Sequence, residues 1–390
     1  MKFSYWEAFI TSFVVGFAES YFAPFSLHVG STPLESGILL SLPLIFAGLA
    51  QFILQPYFHY LNVARFVQRA TLLQSFSLLS LALISQVPLT NYFPILLLLF
   101  SIYWLGHFAV QPAWNRWISE ILPVEQGSNY FSLRVRLNQI GIIAGLVFGG
   151  VTLHLNIIDI EVSKLFLSLF LFSFVCKILT YYFFTKHQSI SVALQLSKEK
   201  MLESLKNYSA FFKSYARFNF TVYLSSTFVA AYLLSIRKLN YLDFMWIMIG
   251  LFLGKMLTTY LIEKKMINTD PTRLMFIGGF FAAPLPGLWP FFQDIWLMFA
   301  LHLLSGMAWA AWEVGLSLCF LKNLPAESKM ETISVYNYIG VTTQVIGTLC
   351  GAVIVRYVFK SNYDYLFIFA GLVRWLGVLP LRKNTLSLKN

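Results

Sequence analysis

Charged residues are scarce in this chain, and that shortage already restricts its class. Asp, Glu, Lys and Arg make up 12% of the 390 residues, whereas 58% are hydrophobic and the mean hydropathy is +0.68. A soluble protein of this length carries about twice that charged fraction. The sequence therefore excludes a soluble globular domain and predicts that lipid surrounds most of the chain.

Cysteine is also rare, and enzyme signatures are missing. Cys176, Cys319 and Cys350 lie in apolar segments without a pairing spacing, so we interpret them as small buried residues rather than disulfide partners or metal ligands. The sequence has no Walker loop, no G-x-S-x-G elbow and no His, Asp or Glu cluster with metal-ligand spacing. We therefore expect no enzyme activity, no ATP drive, and neither a cofactor nor a metal.

What the sequence has in abundance is long hydrophobic segments, each near the roughly 20 residues that a spanning helix needs. Twelve such segments occur, and we call them spans 1 to 12. Their predicted ranges are 6–28, 35–58, 69–88, 92–117, 129–153, 164–185, 214–236, 240–262, 273–291, 294–321, 331–356 and 364–382.

The net charge of +11 is distributed unevenly between the connectors of these spans. Connectors and span edges on the side of the N-terminus hold 20 Lys and Arg, those on the other side hold 5, and 3 lie within spans. Because positive connectors stay in the cytoplasm, both termini are predicted to be cytoplasmic. This alternation indicates membrane orientation rather than nucleic-acid binding.

The two halves of the chain repeat one pattern. At an offset of 197 residues, the segment that ends at Lys177 matches the segment that ends at Arg374. Such a repeat is typical of transporters and predicts an all-α membrane protein with twelve transmembrane helices in two pseudo-symmetric six-helix bundles, 1–186 and 214–390. A cytoplasmic linker with a surface helix, 187–213, joins them. At an offset of 202, the matching pairs are Leu122 with Leu324, Pro123 with Pro325, Glu125 with Glu327, Ser132 with Ser334, Gly145 with Gly347 and Gly149 with Gly351.

These features together resemble the major facilitator superfamily across essentially the whole chain. The segment from Gly145 to Gly150 is similar to the G-P-x-x-G-G element of proton-coupled drug antiporters, with Leu146 in place of proline. Arg65 and Arg69 match basic residues of the family's 2–3 loop, which here lacks the usual glycine and aspartate. The segment 112–136 is similar to bacterial members, so the resemblance implies a multi-pass protein of the bacterial inner membrane. It also implies alternating access, with spans 1, 4, 7 and 10 around a central cavity.

Three ionisable residues within spans are candidates for proton coupling. Glu19, His107 and Glu313 lie near mid-span, where an ionisable group is costly and is often functional. The resemblance places all three in cavity-lining spans, whereas it places Lys177 and Arg374 in outer ones. Pro24 cannot donate to the carbonyl of Ser20, so span 1 is predicted to loosen one turn beyond Glu19. The alternatives are a glutamate that pairs with a neighbouring helix or is wetted, and a histidine that only completes local hydrogen bonds.

Polar and aromatic residues in spans 2, 4, 8 and 10 are candidates for substrate binding. Gln51 and Gln55 form a stripe with His59, and this stripe lines either a water path or a helix contact. Lys255 is interpreted as a countercharge for Glu313 or Glu19, or as a ligand for an anionic substrate. The substrate-binding candidates are Gln51, Gln55, Gln111, Lys255, Trp309 and Trp312.

Charged residues near the predicted cytoplasmic rim are candidates for a gate. Ion pairs there are expected to close the inward mouth, and solvated charges worth well under ~1 kcal/mol each are the alternative. The glycines of spans 5 and 11 are predicted to let helix backbones approach closely. The gate candidates are Arg116, Glu120, Glu125, Arg134 and Arg136.

The sequence therefore predicts a secondary active transporter that exports a small amphipathic organic molecule with proton coupling. Import of a nutrient or a siderophore-like metal chelate is one alternative, and a membrane scaffold that transports nothing is another. The expected partners are the substrate, protons and the lipid bilayer, with no nucleic acid, and the protein is expected to act as a monomer.

Overall fold

The computed structural model describes residues 2–54, 62–121, 124–155, 160–186, 197–265, 270–325 and 328–383. Within these ranges every regular element is a helix, which confirms the predicted all-α class. Each predicted span that these ranges cover corresponds to helical structure. The sequence pattern was sufficient here because a chain in lipid must satisfy its backbone hydrogen bonds internally.

Ten helical segments of the described chain are long and apolar enough to cross a membrane. Spans 2 and 4 add two shorter apolar stretches, within Leu42–Leu54 with its preceding helix Pro33–Leu39, and within Phe93–Ile121. The ten segments are Phe3–His28, Val63–Ile84, Leu133–His154, Val162–Thr185, Ser209–Ile236, Tyr241–Ile262, Pro271–Phe291, Ile295–Phe320, Glu331–Val358 and Tyr363–Arg382.

Side-chain caps fix where several spans begin, and hydropathy does not show this. Span 3 starts at Val63, six residues before its predicted edge, because the side chain of Asn62 accepts a hydrogen bond from the backbone N–H of Arg65. The aspartates Asp270 and Asp294 cap spans 9 and 10 in the same way. The first turn of span 3 contains polar residues, which lower the hydropathy there. The hydropathy pattern therefore predicts a start of span 3 that is six residues too far along the chain.

The described chain divides into two compact units. The first unit comprises Met1–Gln195 with Leu233–Met245, and the second comprises Leu196–Tyr232 with Trp246–Asn390. The predicted domain boundaries at residues 186 and 214 remain a prediction.

In the first unit, spans 1 and 5 are in close contact through glycines. A Cβ atom on Gly145 would lie 2.2 Å from the carbonyl oxygen of Phe13, and one on Gly16 would lie 2.0 Å from that of Ile142. No side chain fits at either position. The prediction that glycines of span 5 allow backbone approach is confirmed.

In the second unit, spans 7 and 11 repeat this contact. A Cβ atom on Gly351 would lie 2.1 Å from the carbonyl oxygen of Leu224. The predicted helix of the linker is present as Lys198–Asn207, and it is held against span 11 by a 2.9 Å hydrogen bond from Thr332 to Ser204. Its buried Met201 joins the apolar core of this unit.

Spans 1 and 7 are both interrupted near their middle. Span 1 consists of the α-helix Lys2–Phe17, a 3-10 segment Glu19–Tyr21 and the α-helix Phe22–His28. The predicted loosening is therefore present, but it includes Glu19 itself instead of beginning a turn beyond it. Pro24 removes the donor for the Ser20 carbonyl, and the preceding turn tightens in response.

Span 7 is interrupted at the equivalent place, after the α-helix Ser209–Tyr223, by the 3-10 segment Ser226–Phe228. A break of this kind frees backbone carbonyls and re-aims the side chains that it carries. The two breaks therefore position the groups described next.

Candidate functional site

Glu19 lies in the break of span 1 and faces span 4 of the same unit. Its side chain is 9% exposed. It accepts a short hydrogen bond from the hydroxyl of Tyr103, and its Oε1 atom is 3.8 Å from Nδ1 of His107. Tyr103 and His107 are four residues apart on one helix, so both reach the same carboxylate. The structure therefore brings two of the three proton-coupling candidates together.

A buried cation approaches this group from span 6. Lys177 is 1% exposed, its Nζ atom donates to Oε1 of Gln74 over 3.0 Å, and it lies 5.8 Å from the ring centroid of Tyr103. Because the hydroxyl of the same Tyr103 donates to Glu19, this one aromatic side chain contacts the carboxylate and lies near the ammonium. We call Glu19, Gln74, Tyr103, His107 and Lys177 the first-unit cluster. It joins spans 1, 3, 4 and 6.

The sequence missed two members of this cluster and gave Lys177 a weaker claim. Gln74 and Tyr103 are ordinary residues of apolar spans when they are considered singly. Tyr103 had one usable signal, since it precedes the candidate His107 by one helical turn. The resemblance implies an outer helix for Lys177, yet its ammonium points into the unit, where it donates to Gln74.

An aromatic donor borders the cluster. The indole N–H of Trp104 is buried and makes no hydrogen bond among the described residues, and its ring is 5.2 Å from that of His107. A buried donor without an acceptor is costly, so Trp104 is a group to which a ligand can add an acceptor.

In the second unit, the structure pairs Lys255 with Glu313. The Nζ atom of Lys255 is 2.6 Å from Oε1 of Glu313, and the two side chains are 20% and 54% exposed. Of the two countercharge alternatives for Lys255, the contact is therefore with Glu313. Trp309 lies one turn before Glu313, while Trp312 is buried 4.8 Å from the ring of Phe218, in the apolar core of this unit.

A second buried cation lies at the break of span 7. Arg374 on span 12 donates through one nitrogen to the carbonyl of Val222 at 2.7 Å and to the hydroxyls of Ser225 and Ser226 at 3.1 and 2.8 Å. Its Nε atom is buried without a partner in the described chain. Arg374 therefore binds the polar groups that the break exposes.

Of the gate candidates, Arg134 is the best defined. Its guanidinium forms an ion pair with Glu7 at 2.7 Å, donates to the carbonyl and hydroxyl of Ser4, and stacks 3.8 Å from the ring centroid of Trp114. These are all contacts within the first unit. Arg136 is exposed. The gating role of these residues remains a prediction.

The remaining candidates lie outside what the structure describes. Gln55 falls in the undescribed segment 55–61. For the other candidates, the structure describes the helical backbone but not the side chain. These residues are Gln51, Gln111, Arg116, Glu120 and Glu125.

The part of the chain that the structure describes contains ten long apolar helices and two shorter ones, which define a multi-pass membrane protein, and broken spans are a feature of transporters. The sequence profile of the Major Facilitator Superfamily matches residues 8–348. The chain belongs to that superfamily. No curated protein sequence gives a significant match to it.

Solved transporter structures share this fold at low sequence identity. A mutant of the nucleoside transporter NupG matches with a TM-score of 0.73 and 12% identity over 97% of this chain and 98% of its own. An inward-facing bacterial homologue of the iron transporter ferroportin gives 0.71 and 14% over 98% of both chains. A bacterial homologue of the lysosomal transporter Spinster gives 0.63 and 14% over 98% of this chain and 91% of its own. The fold supports secondary transport by alternating access.

Proposed function

We propose that this protein exports a small amphipathic organic molecule in exchange for protons, and that Glu19 is the proton carrier. The observation that carries the proposal is the placement of Glu19 at the break of span 1, mostly buried, against Tyr103 and His107. An ionisable residue inside a span is costly and is retained mainly for function.

The chemistry of this group suits proton uptake and release. A carboxylate accepts a hydrogen bond from the Tyr103 hydroxyl, whereas its protonated form carries a proton of its own to donate. The imidazole of His107 can accept a proton at one ring nitrogen and donate one from the other, and its side chain is 29% exposed, more than that of Glu19. A proton can therefore reach Glu19 by way of His107, and no nucleotide is needed as an energy source.

The aromatic groups support an amphipathic substrate. The indole N–H of Trp104, unpartnered among the described residues, offers one donor beside an apolar ring, and the ring of His107 lies 5.2 Å from it in the same unit. Ligand sites combine mostly apolar walls with a few polar groups that orient the ligand. A molecule with an aromatic body and one or two polar groups fits these features.

The glycine segment of span 5 bears on the direction of transport. The glycine segment from Gly145 to Gly150 resembles that of proton-coupled drug antiporters, which favours export. Uptake of a nutrient is the second candidate, because the fold is shared with a nucleoside transporter and with a homologue of an iron transporter. Glu19 has the same role in both, since only the direction of the proton relative to the substrate differs.

Transport by purified protein in proteoliposomes tests the proposal. Fluorescent amphipathic dyes and radiolabelled nucleosides are supplied on either side, with and without an imposed pH gradient. One proton per cycle at an equivalent of 100 mV is worth about 2.3 kcal/mol, which supports roughly fiftyfold accumulation. The wild type is expected to accumulate a dye against its gradient towards the acidic side.

The matched variants are Glu19→Gln and Glu35→Gln. The amide introduced by Glu19→Gln imitates a permanently protonated carboxyl, so exchange without a gradient is retained while pH-driven accumulation is lost. Glu35 is a partly exposed capping residue whose role glutamine can replace, so its variant is expected to behave as the wild type. Full pH-driven accumulation by Glu19→Gln would contradict the proposal, and the absence of flux for every compound would favour the scaffold.

A further inference from the structure

Among the described residues, each unit has one buried cation near a broken span. Lys177 ends the segment of span 6 that matches the segment of span 12 ending at Arg374. Lys177 lies 5.8 Å from the ring centroid of Tyr103, whose hydroxyl donates to Glu19 in the break of the first unit, and Arg374 binds the break at Ser226 in the second. The repeat therefore preserves the cation while the residue in the break differs, a glutamate in one unit and a serine in the other.

The two cations are satisfied in different ways. Arg374 binds a carbonyl and two hydroxyls, and no carboxylate of the described chain forms an ion pair with it. The ammonium of Lys177 has a single described hydrogen bond, to the amide oxygen of Gln74. A buried ammonium with one neutral acceptor requires a countercharge nearby.

Several ionisable groups surround Lys177, and most are already engaged. Glu7 on span 1 forms its own ion pair with Arg134 on span 5, and His107 on span 4 adds no negative charge. Span 3 contributes the neutral Gln74, and span 6 itself contributes only the thiol of Cys176. Among the described side chains Glu19 is the carboxylate that remains, and the ring and hydroxyl of Tyr103 connect it to the ammonium.

We propose that Lys177 is a positioning residue for the proton site, because its buried ammonium is the countercharge that allows Glu19 to release its proton. When Glu19 is ionised, the two charges compensate each other across Tyr103. When a proton from water binds the carboxylate, the ammonium is left without a countercharge, and this arrangement is destabilised. Proton binding thereby acts on the packing of spans 1, 4 and 6. The inference rests on the proposed role of Glu19.

An infrared pH titration of the full-length protein in nanodiscs tests this without a known substrate, because the proton is the probe. The band of a protonated carboxyl that is present in the wild type and absent from Glu19→Gln reports the state of Glu19. In Lys177→Met the midpoint of this band is expected to move up by about 1 pH unit, because an opposite charge at this range favours the ionised carboxyl. Lys177→Arg is expected to return the midpoint to that of the wild type.

A control from the other unit separates charge from packing. Arg374→Met removes the equivalent cation, so it is expected to lower the unfolding temperature without moving the midpoint of the Glu19 band. Gln74→Leu keeps Lys177 but removes the single described acceptor of its ammonium. The midpoint is therefore expected to move up by less than in Lys177→Met. If Lys177→Met cannot be purified, Gln74→Leu decides the question.

Two failures are distinguishable. If no titrating band is lost in Glu19→Gln, Glu19 does not carry a proton and the proposed function fails. If the band is present but keeps its midpoint in Lys177→Met, or in Gln74→Leu where that variant decides, only the role of Lys177 is overturned.

Discussion

The ion pair between Glu7 and Arg134 leads to a quantitative prediction about stability. The carboxylate is 4% exposed and the guanidinium 12%, with 2.7 Å between Oε2 and Nη2. Arg134 is also held by Ser4 and stacked on Trp114. The pair thus joins the beginning of span 1 to span 5 and span 4 inside the first unit.

Removing one partner leaves the other charge buried and uncompensated. Breaking a buried pair in this way costs about 3–5 kcal/mol, so Glu7→Gln and Arg134→Met are each expected to lower the free energy of unfolding by that order. The double variant leaves no orphan charge. It is therefore expected to be more stable than either single variant, and a double-mutant cycle should give a coupling of at least about 1 kcal/mol.

Equilibrium unfolding of the purified variants in mixed micelles measures these differences, with Arg136→Met as the exposed control. The control is expected to stay within about 1 kcal/mol of the wild type. If Arg134→Met is as stable as the wild type but changes the rate of transport, Arg134 acts as a gate and does not stabilise the first unit. Additive effects in the double variant would also refute the reasoning.

Two further predictions concern packing and the second unit. Gly145→Ala places a Cβ atom 2.2 Å from a carbonyl oxygen of span 1, so it is expected to lower the unfolding temperature or abolish folding. The control Gly287→Ala, with its nearest atoms at 3.6 Å, is expected to be tolerated. Thermal melting of both variants checks this. Glu313→Gln is expected to cost less than ~1 kcal/mol in stability, because Glu313 is largely exposed, and to reduce transport. The charge swap Lys255→Glu with Glu313→Lys is expected to recover part of the flux in proteoliposomes. If it recovers none, the two residues do not act as a pair.

Hydropathy and the repeat predicted the fold because lipid imposes a simple constraint on every span. Each helix must be about 20 residues long and apolar, and its backbone bonds must close within it. The glycines of span 5 likewise marked the contact with span 1, since only a missing Cβ allows two backbones to approach within van der Waals distance. The start of span 3 at Val63 was misplaced, because a cap at Asn62 is a local hydrogen bond that hydropathy does not register.

The candidate site was accessible to sequence reasoning only in part. Glu19 and His107 stood out because each is an ionisable residue in an apolar segment, and the structure brings them within 3.8 Å. The partnership of Lys177 with Gln74 joins residues 103 positions apart on different helices. Which face of span 6 points into the unit depends on the rotation of that helix, and an almost uniformly apolar span carries no periodicity that would fix it.

By itself, the sequence determined the class of the protein, its twelve spans, its internal repeat and the few charged residues whose burial in the membrane costs free energy. Only the tertiary structure decided what those charges contact: Lys255 meets Glu313, Arg134 meets Glu7, and Lys177 meets Gln74 near the ring of Tyr103, which donates to Glu19. The physical reason is that burial is a property of each segment, whereas pairing depends on how helices rotate and break when they pack.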